Sequence, residues 1–412
     1  MLKCLPVLAV LLLVCGTALA QDFSWHGFVQ ANYSLRTTGL SPDSNQTDYL
    51  WADHRFQLKF SASDGAARAF AKIDLFQNAL KKEFDLEIRE AYLDYSAGHF
   101  DFRLGRQIIT WGVGDLLFIN DVFPKDWQAF FFGRPVEYLK VGADGVKTTY
   151  TSPLLSVELA LMPFFEPDNL PSSQEFFLYD PFSSYANRSE LKPDLNLENS
   201  EQALRFYRNF GGYEVALYAY RGFFRSPSVL PDSADSSLTY FYPKQSVYGT
   251  SLQKNIYNGI FSLEYGYADS REDRDGSNSF VPNSFHKLLA GYQRQGWTDF
   301  SYTFQFYSEL MNDYKPYKNN LPLGFPKQDE FRYLLTLRAI QLLKYQTWKL
   351  SFFGFYSPSD NDYYLIPEVH YKFSDKLWAS LGGNIFGGEK ETTFFAQFDK
   401  NDNIFTTLRY EF

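Results

Sequence analysis

Ile404-Phe-Thr-Thr-Leu-Arg-Tyr-Glu-Phe412 alternates in steps of two. Ile404, Thr406, Leu408, Tyr410 and Phe412 share one face, and Phe405, Thr407, Arg409 and Glu411 share the other. That period belongs to a β-strand with one mostly apolar and one mostly polar side. An apolar face at an open sheet edge is a liability in water. In a closed barrel within a bilayer the same face meets lipid and no edge is left.

The pattern recurs through the chain. Alternating segments are expected at 23–36, 49–62, 68–76, a fourth ending at Tyr95, 100–110, 141–151, 155–162, 202–210, 213–221, 246–254, 259–268, 285–295, 298–310, 331–342, 347–356, 363–373, 377–386 and 404–412. Segment 392–398 alternates too, but counting it makes the total odd. Single-chain bacterial barrels have even counts, so 387–403 reads as a final outside loop. Asp64-Gly65, Ser152-Pro153, Gly211-Gly212 and Ser374-Asp-Lys form short turns, and longer connections alternate with them. The expected fold is all-β: a transmembrane antiparallel up-and-down barrel of about 18 strands.

Composition agrees. Phe, Tyr and Trp make up 19% of the 412 residues, yet mean hydropathy is only −0.32. Alternating strands with aromatic girdles reconcile the two. Residues 1–20 combine Lys3, an apolar run from Leu5 to Val14 and Ala18-Leu19-Ala20, the pattern of a cleaved signal peptide. Residues 21–412 then form one outer-membrane barrel domain. Both cysteines, Cys4 and Cys15, lie in the leader, so no disulfide, thiol metal site or Cys-x-x-Cys-His haem site is expected in the remainder. Without Lys3, the 39 basic residues fall to 38 against 48 acidic ones, a balance of −10. That argues against nucleic acid as a partner. The five histidines show no zinc spacing, and no Ser, His and acid set is compelled to meet. Neither cofactor, metal nor catalytic group is expected.

Inward parity collects charge. Lys or Arg facing lipid at mid-depth costs roughly 2–4 kcal/mol, so these positions call for a wet lumen. The candidate basic lining is Arg55, Lys59, Arg68, Lys72, Arg103, Arg106, Arg205 and Arg338. The candidate acidic lining is Glu90, Asp94, Asp115 and Asp121. Strict alternation puts Arg106 on the lipid side with Phe102 and Leu104, so Gly105 is expected to carry a bulge, or Arg106 to lie near an interface. Segment 112–140 follows strand five at an outside end, is broken by Pro124 and Pro135, and holds Phe130-Phe131-Phe132. Its aromatic run predicts packing into the barrel. Arg55, Lys59, Arg68 and Arg103 are then expected to face Asp115 and Asp121 across a constriction, attracting small anions. Loop 164–200 is acidic but lacks Ca²⁺-binding spacing.

Two resemblances follow from these residues. The ending, with Tyr410 and Phe412, resembles the targeting strand that the barrel-assembly machinery reads in bacterial outer-membrane proteins. Gly105-Arg106-Gln107 before Trp111-Gly112, the Gly387-Gly388-Glu389 loop and Phe395-Ala-Gln-Phe398 resemble alginate-export-type and related proteobacterial porins. The resemblance implies a porin seated in outer-membrane lipids, passing small hydrophilic, including anionic, solutes by diffusion. Two alternatives stay open at this level: a barrel sheath or scaffold around a partner protein, and a barrel-embedded hydrolase.

Overall fold

A computed structural model describes residues 22–38, 48–173, 175–232, 234–322 and 325–412. The expected leader, residues 1–20, lies outside the described residues. In chain order the strands are β1 (Asp22–Arg36), β2 (Tyr49–Asp64), β3 (Ala67–Asn78), β4 (Glu83–Ala97), β5 (Phe100–Gln107), β6 (Ala143–Thr151), β7 (Ser156–Met162), β8 (Asn187–Leu191), β9 (Glu201–Phe210), β10 (Tyr213–Phe223) and β11 (Ser228–Asp232). There follow β12 (Ser237–Phe241), β13 (Lys244–Ile256), β14 (Gly259–Ser270), β15 (Phe285–Gln295), β16 (Phe300–Met311), β17 (Phe331–Leu343), β18 (Trp348–Ser357), β19 (Asp362–Lys372), β20 (Leu377–Gly388) and β21 (Asn403–Glu411). β8, β11 and β12 make a small separate sheet within the long connections, and the other 18 form one antiparallel sheet.

That sheet closes. β21 pairs with β1 from Phe28↔Glu411 to Arg36↔Asn403, and Gly27 and Phe412 exchange backbone bonds of 3.0 and 3.1 Å. Its faces are inverted relative to a water-soluble core. Val29, Ile404, Leu408 and Tyr410 are 47–50% exposed, whereas Gln30, Asn32, Asp53, Arg55, Gln57 and Asp74 are at most 1% exposed. Apolar residues outside and polar residues inside suit a lipid-facing wall around a polar interior. Among the described residues no helix is long and apolar enough to cross a membrane. Tight turns such as Gly65-Ala66 and Gly211-Gly212 sit at one end. The long connections 108–142, 163–200, 224–243, 271–284 and 389–402 sit at the other.

Segment 392–398 is no strand; a 3-10 turn occupies Ala396–Asn401. Strand five stops at Gln107 rather than Thr110, because the Ile108 N–H turns to Glu90 Oε1 at 3.3 Å. The bulge lies elsewhere than expected. Gly105 stays in step between Tyr92 and Gly145, with φ +128°, a conformation that favours glycine, where a Cβ would fall 2.2 Å from the Ala91 carbonyl oxygen. The register instead shifts at Lys72/Ile73, where Arg89 is the extra residue of β4. Arg106 therefore keeps the outward parity of Phe102 and Leu104, and does not line the lumen. It sits one residue from the outer end of β5, on Asp144 through bonds of 2.7 and 3.0 Å.

Phe412 lies on the outward face over Gly27, its ring 5.8 Å from Trp25 and 5.9 Å from Phe56. This aromatic group spans the closing seam. Phe412→Asp puts a charge into that apolar group and is expected to lower the yield of folded, heat-modifiable barrel severalfold. Wild-type levels of folded barrel in membranes would show that the seam does not need the ring.

Candidate functional site

Segment 108–142 leaves the wall and crosses the lumen. Peptide groups inside a barrel have no ladder partners, so wall side chains must supply them. Glu264 on β14 accepts four bonds: from Val113 N at 2.7 Å, Gly114 N at 3.1 Å, and Asn120 N and Nδ2 at 2.9 Å each. Gly112 permits that approach, since a Cβ there would lie 2.6 Å from Glu264 Oε1. On β16, Gln305 bonds both backbone groups of Asp115, at 2.7 and 2.9 Å. On β17, Arg338 binds the Asp115 carboxylate, with Nη2 2.7 Å from Oδ1.

A short helix, α1 (Trp127–Phe131), then turns the loop back. Asp126 caps it by accepting from Ala129 N at 2.7 Å. The Phe130-Phe131-Phe132 run is buried. Phe132 stacks 5.0 Å from Trp51 and 4.9 Å from Phe176, and Phe131 lies 4.6 Å from Phe398. The Phe131 carbonyl accepts from Asn384 at 3.0 Å and Asn403 at 3.3 Å. The return limb lies on β1–β4 and β21. Arg89 bonds the Glu137 and Lys140 carbonyls at 2.8 and 3.0 Å, and Arg409 pairs with the Glu137 carboxylate at 2.5 Å. Burial opposes the Glu137 charge, but Arg409, with Lys72 and Arg89, holds it below the usual carboxylate range. Burial pushes the Lys125 ammonium below its ordinary value, against the pull of Asp121 and Asp168.

The loop's reach decides where the expected lining residues go. Arg55 has no accessible side-chain surface: it is clamped by Asp53 at 2.9 Å and Asp74 at 2.6 Å, with its guanidinium 4.7 Å from the Tyr138 ring centre. Arg103 is bidentate on Asp94 at 2.6 and 2.9 Å. Arg205 lies 3.9 Å from Glu214, and Lys72 is 4.0 Å from Glu137. Arg68 bonds Ser61 at 3.1 Å, close to the tight Gly65-Ala66 turn. Lys59 faces His26 and Lys72 across the strands and makes no ion pair among the described residues. Glu90 serves the Ile108 N–H. Asp121 is held inside the loop by Lys125 at 3.1 Å and Lys140 at 2.7 Å. The expected opposition of Arg55, Lys59, Arg68 and Arg103 to Asp115 and Asp121 is therefore not formed. The limb carrying Asp115 runs to the far wall and meets Arg338, while Arg55 and Arg103 take carboxylates from the strands of their own wall.

The loop leaves a cavity of about 260 Å³ against β13–β15 and another of about 330 Å³ against β17–β21. The larger is lined by Arg338, Lys349, Ser351, Glu368, His370 and Thr407, with Trp378 and Phe405 among its aromatic surfaces. Arg338 stands opposite Phe353, four positions from Lys349, or roughly 13 Å along the strand. Lys349 makes no ion pair among the described residues; it faces His370, whose ring lies 4.6 Å from Trp378. Sequence parity holds a signal for both, since Lys349 alternates with Ser351 and Phe353, and His370 with Glu368. Among the described residues no group of three or more His, Cys, Asp or Glu is placed to hold a metal ion.

Solved structures share this fold over nearly the whole chain. OccK2 (OpdF) of Pseudomonas aeruginosa, solved in complex with glucuronate, gives a TM-score of 0.58 at 8% identity, covering 95% of this chain and 98% of its own. OccD3 (OpdP) of the same organism gives 0.55 at 11% identity, covering 95% and 92%. OccAB3 of Acinetobacter baumannii gives 0.54 at 10% identity, covering 95% and 99%. These neighbours are bacterial outer-membrane porins, and at such identities the likeness is one of fold. No protein-family model matches the chain, and no curated protein matches it.

Glu264→Ala strips one acceptor group from four buried or half-buried donors, each costing about 1–3 kcal/mol if left unpaired. The folded variant is expected to be cut by trypsin at Lys125 at least about tenfold faster, since lost anchoring raises the population of opened loop. Equal cleavage rates would place the loop's anchorage in its aromatic and return-limb contacts instead.

Proposed function

We propose that this chain is a porin of the bacterial outer membrane. Small hydrophilic solutes diffuse through the space left between the inward loop and the β17–β21 wall, and anionic solutes are favoured. The observation that carries this is the 330 Å³ cavity inside a closed barrel, with Arg338 among its lining residues beside Lys349, which makes no ion pair among the described residues. Cations along a low-dielectric wall focus field into the passage, so local selectivity departs from the acidic balance of the whole chain. Glucuronate, present in the OccK2 structure, is a carboxylated sugar, and a solute of that class would meet both cations here. The narrower resemblance to alginate-export-type porins rests on the short motifs alone. Tyr410 and Phe412 serve the barrel-assembly machinery as the terminal strand, and outer-membrane lipids surround the wall.

Reconstitution in planar bilayers tests the proposal, and absence of steady conductance would overturn it. Lys349→Gln is expected to move the reversal potential in a salt gradient towards cations. The shift should shrink as salt rises, because screening acts over about 10 Å at 0.1 M. An unchanged reversal potential would remove Lys349 from the path.

Arg55→Gln should behave differently. It strands Asp53 and Asp74 without their partner, a loss of roughly 3–5 kcal/mol. It is expected to lower unfolding temperature while leaving reversal potential unchanged. A selectivity shift with intact stability would return Arg55 to the solute path.

A further inference from the structure

Towards the loop-side ends of the staves, Arg106, Arg221 and Lys244 are cations of outward parity. Arg106 has Asp144 as its partner. A different arrangement occupies the loop-side rim of β10, β13 and β14. Arg221 is exposed on the parity of Leu217, which is 55% exposed, and Lys244 shares the parity of Tyr248. Arg221 faces Ser246 across the ladder, so Lys244 is its diagonal neighbour, roughly 7–8 Å away. Neither makes an ion pair among the described residues. One strand on, Ser246 faces Asp269, which Arg274 holds at 2.8 and 3.1 Å. This face thus carries three cations against one outward carboxylate. Glu272 and Asp275 lie exposed in the connection beyond the strand end.

An aromatic belt lies directly beneath. Tyr248 faces Tyr267, and Tyr267 faces His286. The Tyr267 and His286 rings are 4.8 Å apart, and the Tyr265 hydroxyl is 2.7 Å from His286 Nδ1. Amphipathic rings of this kind sit where headgroups meet acyl chains. Arg221, level with Ser246, lies two residues further out than Tyr248, and Lys244 lies four residues out, which places both at headgroup level. A cation at that boundary with no carboxylate beside it is left to attract the anionic groups of the lipid. Guanidinium matches phosphate oxygens in bidentate fashion, and ammonium adds a point charge.

We infer that the β10–β13–β14 rim is a binding site for the phosphorylated headgroup of an outer-leaflet glycolipid. Arg221, Lys244 and Arg274 take the phosphate oxygens, and Tyr248 and Tyr267 lie against the sugar and the start of the acyl chains. The inference rests on the outer-membrane reading given above.

The test uses the full chain folded in detergent and native mass spectrometry, with three probes: diphosphoryl lipid A, its dephosphorylated form, and sodium phosphate. The wild type is expected to retain diphosphoryl lipid A, and to hold the dephosphorylated form at least about tenfold more weakly. Arg221→Gln with Lys244→Gln should cut affinity for the phosphorylated form about tenfold and leave the other unchanged. Arg221→Gln alone should fall between, so one soluble, folded variant suffices. Equal binding of both lipids, equal binding by the variants, or displacement by equimolar free phosphate would overturn the site. Conductance of the same preparations separates the two claims. A wild type that binds the lipid selectively but does not conduct defeats the channel and leaves this site standing.

Discussion

A sheet surrounded by lipid can leave no peptide group unpaired, because each one exposed to hydrocarbon costs several kcal/mol. The ladder from Phe28↔Glu411 to Arg36↔Asn403 meets that condition by joining the last stave to the first. Much follows from it. With every connected pair antiparallel, closure brings the two ends of the sheet to the tight-turn side and makes the stave count even. Outward positions must be apolar, as Val29, Leu408 and Tyr410 are, and the polar half of every strand is driven inward. The lumen is then crowded with charges that need partners.

The inward segment 108–142 is where that need is met from both directions. Its backbone lacks a ladder, and the walls hold more polar groups than they can satisfy among themselves. Glu264 and Gln305 take the outgoing limb, Arg89 and Arg409 the return, and an aromatic cluster around Phe131 and Phe132 seals the bend. The arrangement uses up most of the interior charge. Arg55, Arg103 and Arg338 each hold a carboxylate, so their number says little about the field a solute meets. What matters is which cations are left over, and Lys349 is one of them.

The same logic applies outside. Arg106 and Asp144 cancel on the outward face of β5 and β6, near the strand end where water and headgroups begin. Arg221 and Lys244 have no such partner among the described residues. A barrel wall is therefore uneven in its demands on the surrounding lipid, and the aromatic belt of Tyr248, Tyr265 and Tyr267 marks the depth at which those demands are made.

Alternation in the amino-acid sequence was enough to set the fold class, the 18 staves and the face of nearly every strand, because a period of two is a local property that lipid and lumen impose on each residue separately. The inward fold of 112–140 was legible for a related reason: three adjacent phenylalanines in a long connection must be covered by something. Local pattern could not say which wall covers them. Glu264 and Gly112 are 152 positions apart, and only closure of the sheet brings them together. Pairing is likewise a tertiary matter. Asp115 looks the same in sequence whether it faces Arg55 or Arg338, and the choice fell to the direction in which the loop crosses. The bulge at Arg89, rather than at Gly105, shows the same limit. A glycine is a local hint, but register is decided by the neighbouring strand, where Lys72 and Ile73 must both find partners. Identity and parity of each residue were thus written in the chain, while the partner of each charge, and hence which charges remain free to act, was decided by tertiary structure.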